Sequence, residues 1–216
     1  MRAIIAVNGK INDYAELAKV LRPDDYLIGA DGGTLHLLAM DRQPNVVVGD
    51  LDSLSRDTVD SLVADGVSVE RHKPEKDQTD LELALEHALE DGADEIVLVG
   101  ALGGRLDQTL ANLLIVAQRD WPVPVRVVEG DQVAEVLRGP GRLALHGPAG
   151  STVSAIPLSA AVTGITYTGL EYPLNDAMLR FGSTRGVSNV LAASPASIRI
   201  DSGILLVIHS LQATVR

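Results

Sequence analysis

Two carboxylates with one residue between them, Asp50 and Asp52 in Gly49-Asp50-Leu51-Asp52-Ser53, follow directly on the β-branched run Val46-Val47-Val48. An acid pair just past a short apolar strand suits Mg²⁺, a hard ion that takes oxygen ligands, keeps several waters and completes its shell with substrate phosphates. Open α/β sheets hold their ligands at the carboxyl ends of their strands. Asp and Ser also cap turns and helices, so the pair alone leaves both readings open. More acids stand at similar places: Asp31 in Asp31-Gly32-Gly33, Asp77 and Asp80 at the front of a predicted helix, and Asp107 in Gly103-Gly104-Arg105-Leu106-Asp107. If the preceding strands are parallel, their carboxyl ends share one rim and the acids converge on Mg²⁺ beside Lys76 and Arg105. Such an assembly is a polyphosphate site.

The elements that must position these residues alternate regularly. Ala3 to Val7 reads as a buried strand ending at Asn8-Gly9, and Asn12 or Asp13 caps a helix expected to reach Leu21, where Pro23 stops it. Tyr26 to Ala30 forms the next strand, followed by the Asp31-Gly32-Gly33 turn and a helix through Leu35, Leu38 and Ala39. Paired glycines let a backbone approach a ligand, but they equally make an ordinary tight turn. After Val46 to Val48 come a helix from Ser55 to Ala64 closed by Gly66, and a strand from Val67 to Glu70. Thr79 and Glu82 form a capping box for a helix whose core stripe is Leu81, Leu85 and Ala88, closed by Gly92. The cap requires neither Asp77 nor Asp80. Glu95 to Val99 is the clearest strand, and a helix through Leu110, Leu113, Leu114 and Ala117 follows its glycine-rich turn. That turn is neither the Gly-x-Gly-x-x-Gly of dinucleotide sites nor a P-loop.

After Trp121-Pro122-Val123-Pro124 the texture changes to short β-rich runs: Val125 to Val128, Val133 to Leu137, Leu143 to Leu145, Thr152 to Ile156, Val162 to Tyr167, Ile198 to Ile200 and Ile204 to Ile208. The expected architecture is an α/β N-terminal domain with a largely parallel sheet, residues 1–130, and a C-terminal all-β sandwich-like domain, residues 131–216. Within the latter, Gly182 to Asn189 carries small hydroxyl and amide side chains able to hydrogen-bond a heteroaromatic ring, beside Arg185. A polar turn between strands explains the same residues.

With a net charge of -11 and a pI near 4.8, the surface repels nucleic-acid phosphates, and no Lys/Arg-rich stretch offers an exception. The chain contains no cysteine, which excludes disulfides and thiolate metal sites. The opening apolar stretch is too short for a signal peptide or membrane span, so a cytoplasmic protein is expected. None of the five His residues is assigned a catalytic role.

Together, Asp31-Gly32-Gly33, Gly49 to Ser53, Lys76-Asp77-Gln78-Thr79-Asp80, Gly103 to Asp107 and Gly182 to Asn189 resemble the thiamin pyrophosphokinase (thiamine diphosphokinase) family, in family order and across nearly the whole chain. The resemblance implies Mg²⁺-dependent transfer of a pyrophosphoryl group from ATP to the hydroxyl of thiamine, giving thiamine diphosphate and AMP, by a homodimer. By position it implies Asp50, Asp52 and Asp80 as metal-binding and catalytic carboxylates. Asp31, Asp77 and Asp107 complete the acidic site, and Lys76 and Arg105 lie near the phosphates. Ser183, Thr184, Ser188 and Asn189 lie near the thiamine ring, contributed by the other subunit. Gln108 stands where many bacterial members carry His, so position 108 receives no role. Two alternatives compete: a haloacid-dehalogenase-type phosphatase, with Asp50 as nucleophile and Asp52 as acid, and a non-catalytic thiamine or nucleotide sensor.

Overall fold

The computed structural model describes residues 1–73 and 77–213. The chain divides into two compact units, Met1–Gly130 and Asp131–Arg216.

In the first unit, strands β1 (Arg2–Ala6), β2 (Tyr26–Ala30), β3 (Val46–Gly49), β4 (Ser68–Arg71), β5 (Glu95–Val99) and β6 (Val125–Glu129) alternate with helices α1 (Tyr14–Ala18), α2 (Thr34–Leu38), α3 (Arg56–Ala64), α4 (Asp80–Glu90) and α5 (Leu106–Ile115). All the strands pair in parallel, in the order β6-β5-β1-β2-β3-β4. Parallel neighbours need a crossover between them, and the helices supply it on the sheet faces. Strands covered on both faces read as unbroken apolar runs. Ala3 to Ala6, Val46 to Val48 and Ile96 to Val99 are accordingly all buried.

Local chemistry sets the helix limits. Asp13 caps α1 by accepting the N–H groups of Ala15 and Glu16, Ser55 caps α3 through the Thr58 N–H, and the Thr79–Glu82 capping box opens α4. Two helices are shorter than the periodicity predicts. α1 ends at Ala18 instead of Leu21, closed by a Val20 N–H donating to Leu17 O, because the residue before Pro23 is disfavoured in a helix. α5 ends at Ile115, where the N–H groups of Ala117 and Gln118 tighten onto Leu114 and Ile115. Its residues Leu106, Leu110 and Leu114, spaced by one turn, are exposed.

The second unit holds β7 (Gln132–Arg138), β8 (Gly141–Leu145), β9 (Thr152–Pro157), β10 (Ala161–Thr168), β11 (Ala177–Arg180), β12 (Asn189–Val190), β13 (Ala196–Ile200) and β14 (Ile204–Ser210). They form two antiparallel groups, β12-β9-β14-β7 and β11-β10-β13-β8. Inward residues of both, among them Leu137, Val153, Ile165, Leu179, Ile198 and Leu205, make one core. The predicted α/β unit followed by a β sandwich is the observed architecture. Val125 to Val128, whose texture matches the second half, instead completes the parallel sheet as β6. Among the described residues no helix is long and apolar enough to cross a membrane.

Candidate active site

From β1 the chain steps through β2, β3 and β4 in one direction, then returns to place β5 and β6 on the other flank of β1. The loops after β1 and β5 therefore leave in opposite directions, and the crevice between them is the topological switch point where such sheets bind ligands. A cavity of about 540 Å³ lies there, lined by loop residues of β1, β2, β3 and β5 and by the start of α4.

The two loops are zipped by main-chain hydrogen bonds: Val7 N–H to Val99 O (2.9 Å), Gly9 N–H to Gly100 O (2.7 Å) and Lys10 N–H to Leu102 O (2.8 Å). A Cβ on Gly9 would lie 2.3 Å from the carbonyl oxygens of both Gly100 and Leu102, so only glycine permits this approach. His36 supports the same loop. Its Nε2 donates to Gly9 O (2.9 Å), which leaves Nδ1 to accept the Tyr14 hydroxyl (2.8 Å), and burial pushes its pKa down.

Asp31, Asp50 and Asp52 each offer a carboxylate oxygen, and these oxygens lie within 4.8 Å of one another. The alternation of the β3 turn explains how. Leu51 is buried among Val47, Leu54, Leu62 and Val67 and anchors the turn, while Asp50 is half-buried and Asp52 exposed. Holding Leu51 at φ 65 costs roughly 1–2 kcal/mol, offset by the burial of its side chain. Asp31 is itself at φ 45 and buried, and accepts the Ser53 N–H at 3.4 Å. Asp50 accepts the Asp52 N–H at 3.3 Å, and Asp52 accepts the Ser53 hydroxyl at 3.2 Å. None of the three forms an ion pair among the described residues. Three adjacent anions repel one another unless a cation joins them.

Asp80, at the first position of α4, lines the cavity with Asp31 and Asp50. The predicted metal set of Asp50, Asp52 and Asp80 thus differs from the tightest group, which holds Asp31 in place of Asp80. Sequence spacing cannot show that the β2 and β3 turns touch. Asp77 is exposed and does not line the cavity, whereas Gln78 and Thr79 do. Lys76 lies outside the described residues.

On the β5 side, Gly103 and Gly104 adopt φ of 82° and 74°, and the Gly103 N–H donates to Thr109 Oγ1. Arg105 lines the cavity and grips Asp107 with two bonds, Nη2 to Oδ2 at 2.5 Å and Nε to Oδ1 at 3.1 Å. The guanidinium holds the exposed Asp107 carboxyl at a pKa of about 2. Asp107 thus orients Arg105 and is not one of the cavity's lining residues. The N-cap residue Arg105 makes no side-chain cap bond, and the Asp107 carboxylate accepts the Gln108 N–H in the first turn of α5 instead.

Four lining carboxamides carry no role in the sequence reading: Asn8, Gln78, Gln108 and Asn112. Asn112 is buried and donates to Ala101 O (2.8 Å), pinning the β5 loop. Only the position of Asn8-Gly9 at the end of the first strand signals a site residue there.

In the second unit, Ser183, Thr184 and Ser188 lie between β11 and β12, with Thr184 and Ser188 exposed and Ser183 half-buried. Ser188, at φ 61, donates its N–H to Ser154 Oγ (3.1 Å). Asn189 is buried, accepts the N–H groups of Tyr172 (3.0 Å) and Val190 (2.8 Å), and donates to Tyr172 O (2.8 Å). Its amide braces the segment.

Residues 17–123 match the model of the thiamin pyrophosphokinase catalytic domain, and residues 143–205 that of the thiamin pyrophosphokinase vitamin B1 binding domain. The chain is 33% identical over 208 residues to a thiamine pyrophosphokinase of Bacillus subtilis (strain 168), covering 95% of this chain and 97% of that one. A crystal structure of thiamine pyrophosphokinase from Bacillus subtilis superposes with a TM-score of 0.86 at 30% identity, covering 97% of this chain and 99% of the other. A thiamin pyrophosphokinase structure from Geobacillus thermodenitrificans gives 0.81 at 32% identity, with 97% of each chain covered. With both halves matched in order and a relative at this identity over nearly its full length, the chain belongs to the thiamin pyrophosphokinase family.

Proposed function

We propose that the chain transfers the pyrophosphoryl group of ATP to the hydroxyl of thiamine, releasing AMP. The observation that carries this reading is the close approach of Asp31, Asp50 and Asp52, the first two of which line a switch-point cavity that Arg105 lines as well. Three carboxylates without a basic partner among the described residues fit a hard divalent ion in donor chemistry and charge. Asp31, Asp50 and Asp52 would hold Mg²⁺, with Asp80 beside them. The ion, when bound, neutralises charge on the polyphosphate.

The chain's own groups then act by placement. Arg105, oriented by Asp107, meets phosphate oxygens. Lys76 is assigned to the phosphates by its motif alone. Holding the β-phosphorus in line with the thiamine hydroxyl, and stabilising AMP as it leaves, completes the reaction. The acidic cavity also favours the cationic thiazolium.

In this proposal residues 1–130 carry ATP and Mg²⁺, while residues 131–216 carry thiamine contacts and dimerisation. Ser183, Thr184 and Ser188 of a partner subunit approach the ring, and Asn189 holds that segment in shape. The absence of cysteine supports a cytoplasmic setting. The phosphatase alternative leaves the second half of the chain without a role, although that half matches the vitamin B1 binding domain.

Incubation with thiamine, ATP and Mg²⁺ tests the reaction. One AMP per thiamine diphosphate is expected, with label from the γ-phosphate in the product. Stoichiometric ADP and thiamine monophosphate would refute it, and release of phosphate from simple phosphoesters through a trapped aspartyl phosphate would favour the alternative.

A further inference from the structure

We infer that Asn8 is a polyphosphate-binding residue, its carboxamide donating to a phosphate oxygen beside the acidic group. This rests on the reading of the cavity as the ATP site.

Donors are scarce there. Asp31, Asp50 and Asp80 are acceptors when ionised, as are the oxygens of a polyphosphate, so those oxygens need N–H groups as well as a cation. Arg105 supplies them from the β5 side. Of the four lining carboxamides, Gln78 donates to Glu86 (2.9 Å) and Asn112 to Ala101 O (2.8 Å). Asn8 on the β1 loop and Gln108 on α5 are the lining carboxamides whose side chains make no hydrogen bond among the described residues, and of the two Asn8 lies on the β1 side, next to the β2 turn that carries Asp31.

Asn8 is exposed and its carboxamide packs on Gly32. A Cβ on Gly32 would lie 2.4 Å from Asn8 Nδ2, 2.5 Å from Cγ and 2.8 Å from Oδ1, so the whole carboxamide lies flat over that glycine. Gly32 is not among the glycines with positive φ, so its own backbone conformation does not demand glycine. The room it leaves is filled by Asn8. Gly32 follows Asp31, which puts the Asn8 amide next to the buried member of the acidic group.

Three variants test this: Asn8→Ala, Asn8→Asp and Gly32→Ala, each with KM for ATP, KM for thiamine, kcat and Tm. Losing a donor to a charged oxygen is expected to raise KM for ATP about tenfold or more in Asn8→Ala, with KM for thiamine unchanged. Asn8→Asp keeps the shape but replaces the donor with an anion, so its KM for ATP should rise further. That repulsion acts whether or not Asn8 donates, so Asn8→Ala carries the decision on KM. Gly32→Ala displaces the amide and should raise KM for ATP in the wild-type background, yet add little on top of Asn8→Ala. Unchanged KM for ATP in Asn8→Ala, while the wild type turns over ATP and thiamine, overturns the role of Asn8 alone. If Asn8→Ala does not fold, Asn8→Leu, close in shape and without the donor, decides by the same criterion. Absence of turnover in the wild type would instead overturn the underlying reading of the cavity.

Discussion

An Asp80 carboxylate oxygen stands 3.1 Å from the point that a Cβ on Gly49 would occupy, so the first turn of α4 closes directly over the last residue of β3. Gly49 also has φ +147, a conformation that L side chains rarely adopt. One residue thus serves both the backbone path into the acidic turn and the approach of a fourth carboxylate. Gly49→Ala is expected to cost about 1–3 kcal/mol in stability. By displacing Asp80 it should also lower turnover at least about tenfold. Chemical denaturation and steady-state kinetics check both, and wild-type turnover would show that the position of Asp80 is immaterial.

Neutralising an acid that holds a cation should separate activity from stability. Asp52 is exposed and anchors nothing in the core, so Asp52→Asn is expected to fold normally yet lose at least about two orders of magnitude in turnover. Without Mg²⁺ its Tm should equal or exceed that of the wild type, because one of three mutually repelling charges is gone.

Mg²⁺ should stabilise the wild-type protein by mass action, by about 2.7 kcal/mol at a hundredfold excess over its dissociation constant. Scanning calorimetry with and without chelator measures this. A Tm indifferent to Mg²⁺ would count against a bound ion, and Asp52→Asn should show a reduced shift.

The Arg105–Asp107 pair makes a pH prediction. The folded pKa of Asp107, about 2, lies below the ordinary carboxylate value, so its contribution is present above the unfolded pKa and fades as pH falls toward 2. Both groups are exposed, so the effect on stability is small. Asp107→Asn should therefore leave the stability profile between about pH 5 and 8 unchanged. Because Arg105 loses its two-point grip, KM for ATP should rise a few-fold. A large Tm loss near neutral pH would assign Asp107 a structural role instead.

Asn189 and Ser188 should behave differently although they are adjacent. Asn189→Ala leaves the Tyr172 N–H and C=O without their amide partner, at an expected cost of about 2 kcal/mol. Ser188→Ala should leave Tm unchanged and raise KM for thiamine. If the proposed dimer shares its sites, mixing Asp52→Asn chains with chains altered at Ser188 should restore some activity in verified heterodimers.

The strands Tyr26–Ala30 and Glu95–Val99 are legible end to end in the sequence, because burial on both faces demands an apolar run and polar or glycine residues bound it. The capping box of Thr79 and Glu82 is equally plain, since it is encoded within four residues. β11 and β12 escape such reading: one is Ala-Met-Leu-Arg with a single buried residue, and the other has only two residues. The same division runs through the site. Acids at strand ends announce themselves, but the closeness of Asp31 to Asp50 and Asp52 and the lining of one cavity by Gln78 and Asn8 arise from separate segments meeting. The bracing of Asn189 against Tyr172 likewise joins residues 17 positions apart, which no local pattern announces.

The zipper between the β1 and β5 loops uses main-chain atoms throughout. Replacing Lys10 or Leu102 leaves the N–H and C=O that join them in place, whereas Gly9 has no steric latitude. This wall of the crevice is therefore inherited as a shape more than as a text. Side chains along it can change while the wall keeps its outline, provided the glycine at position 9 stays.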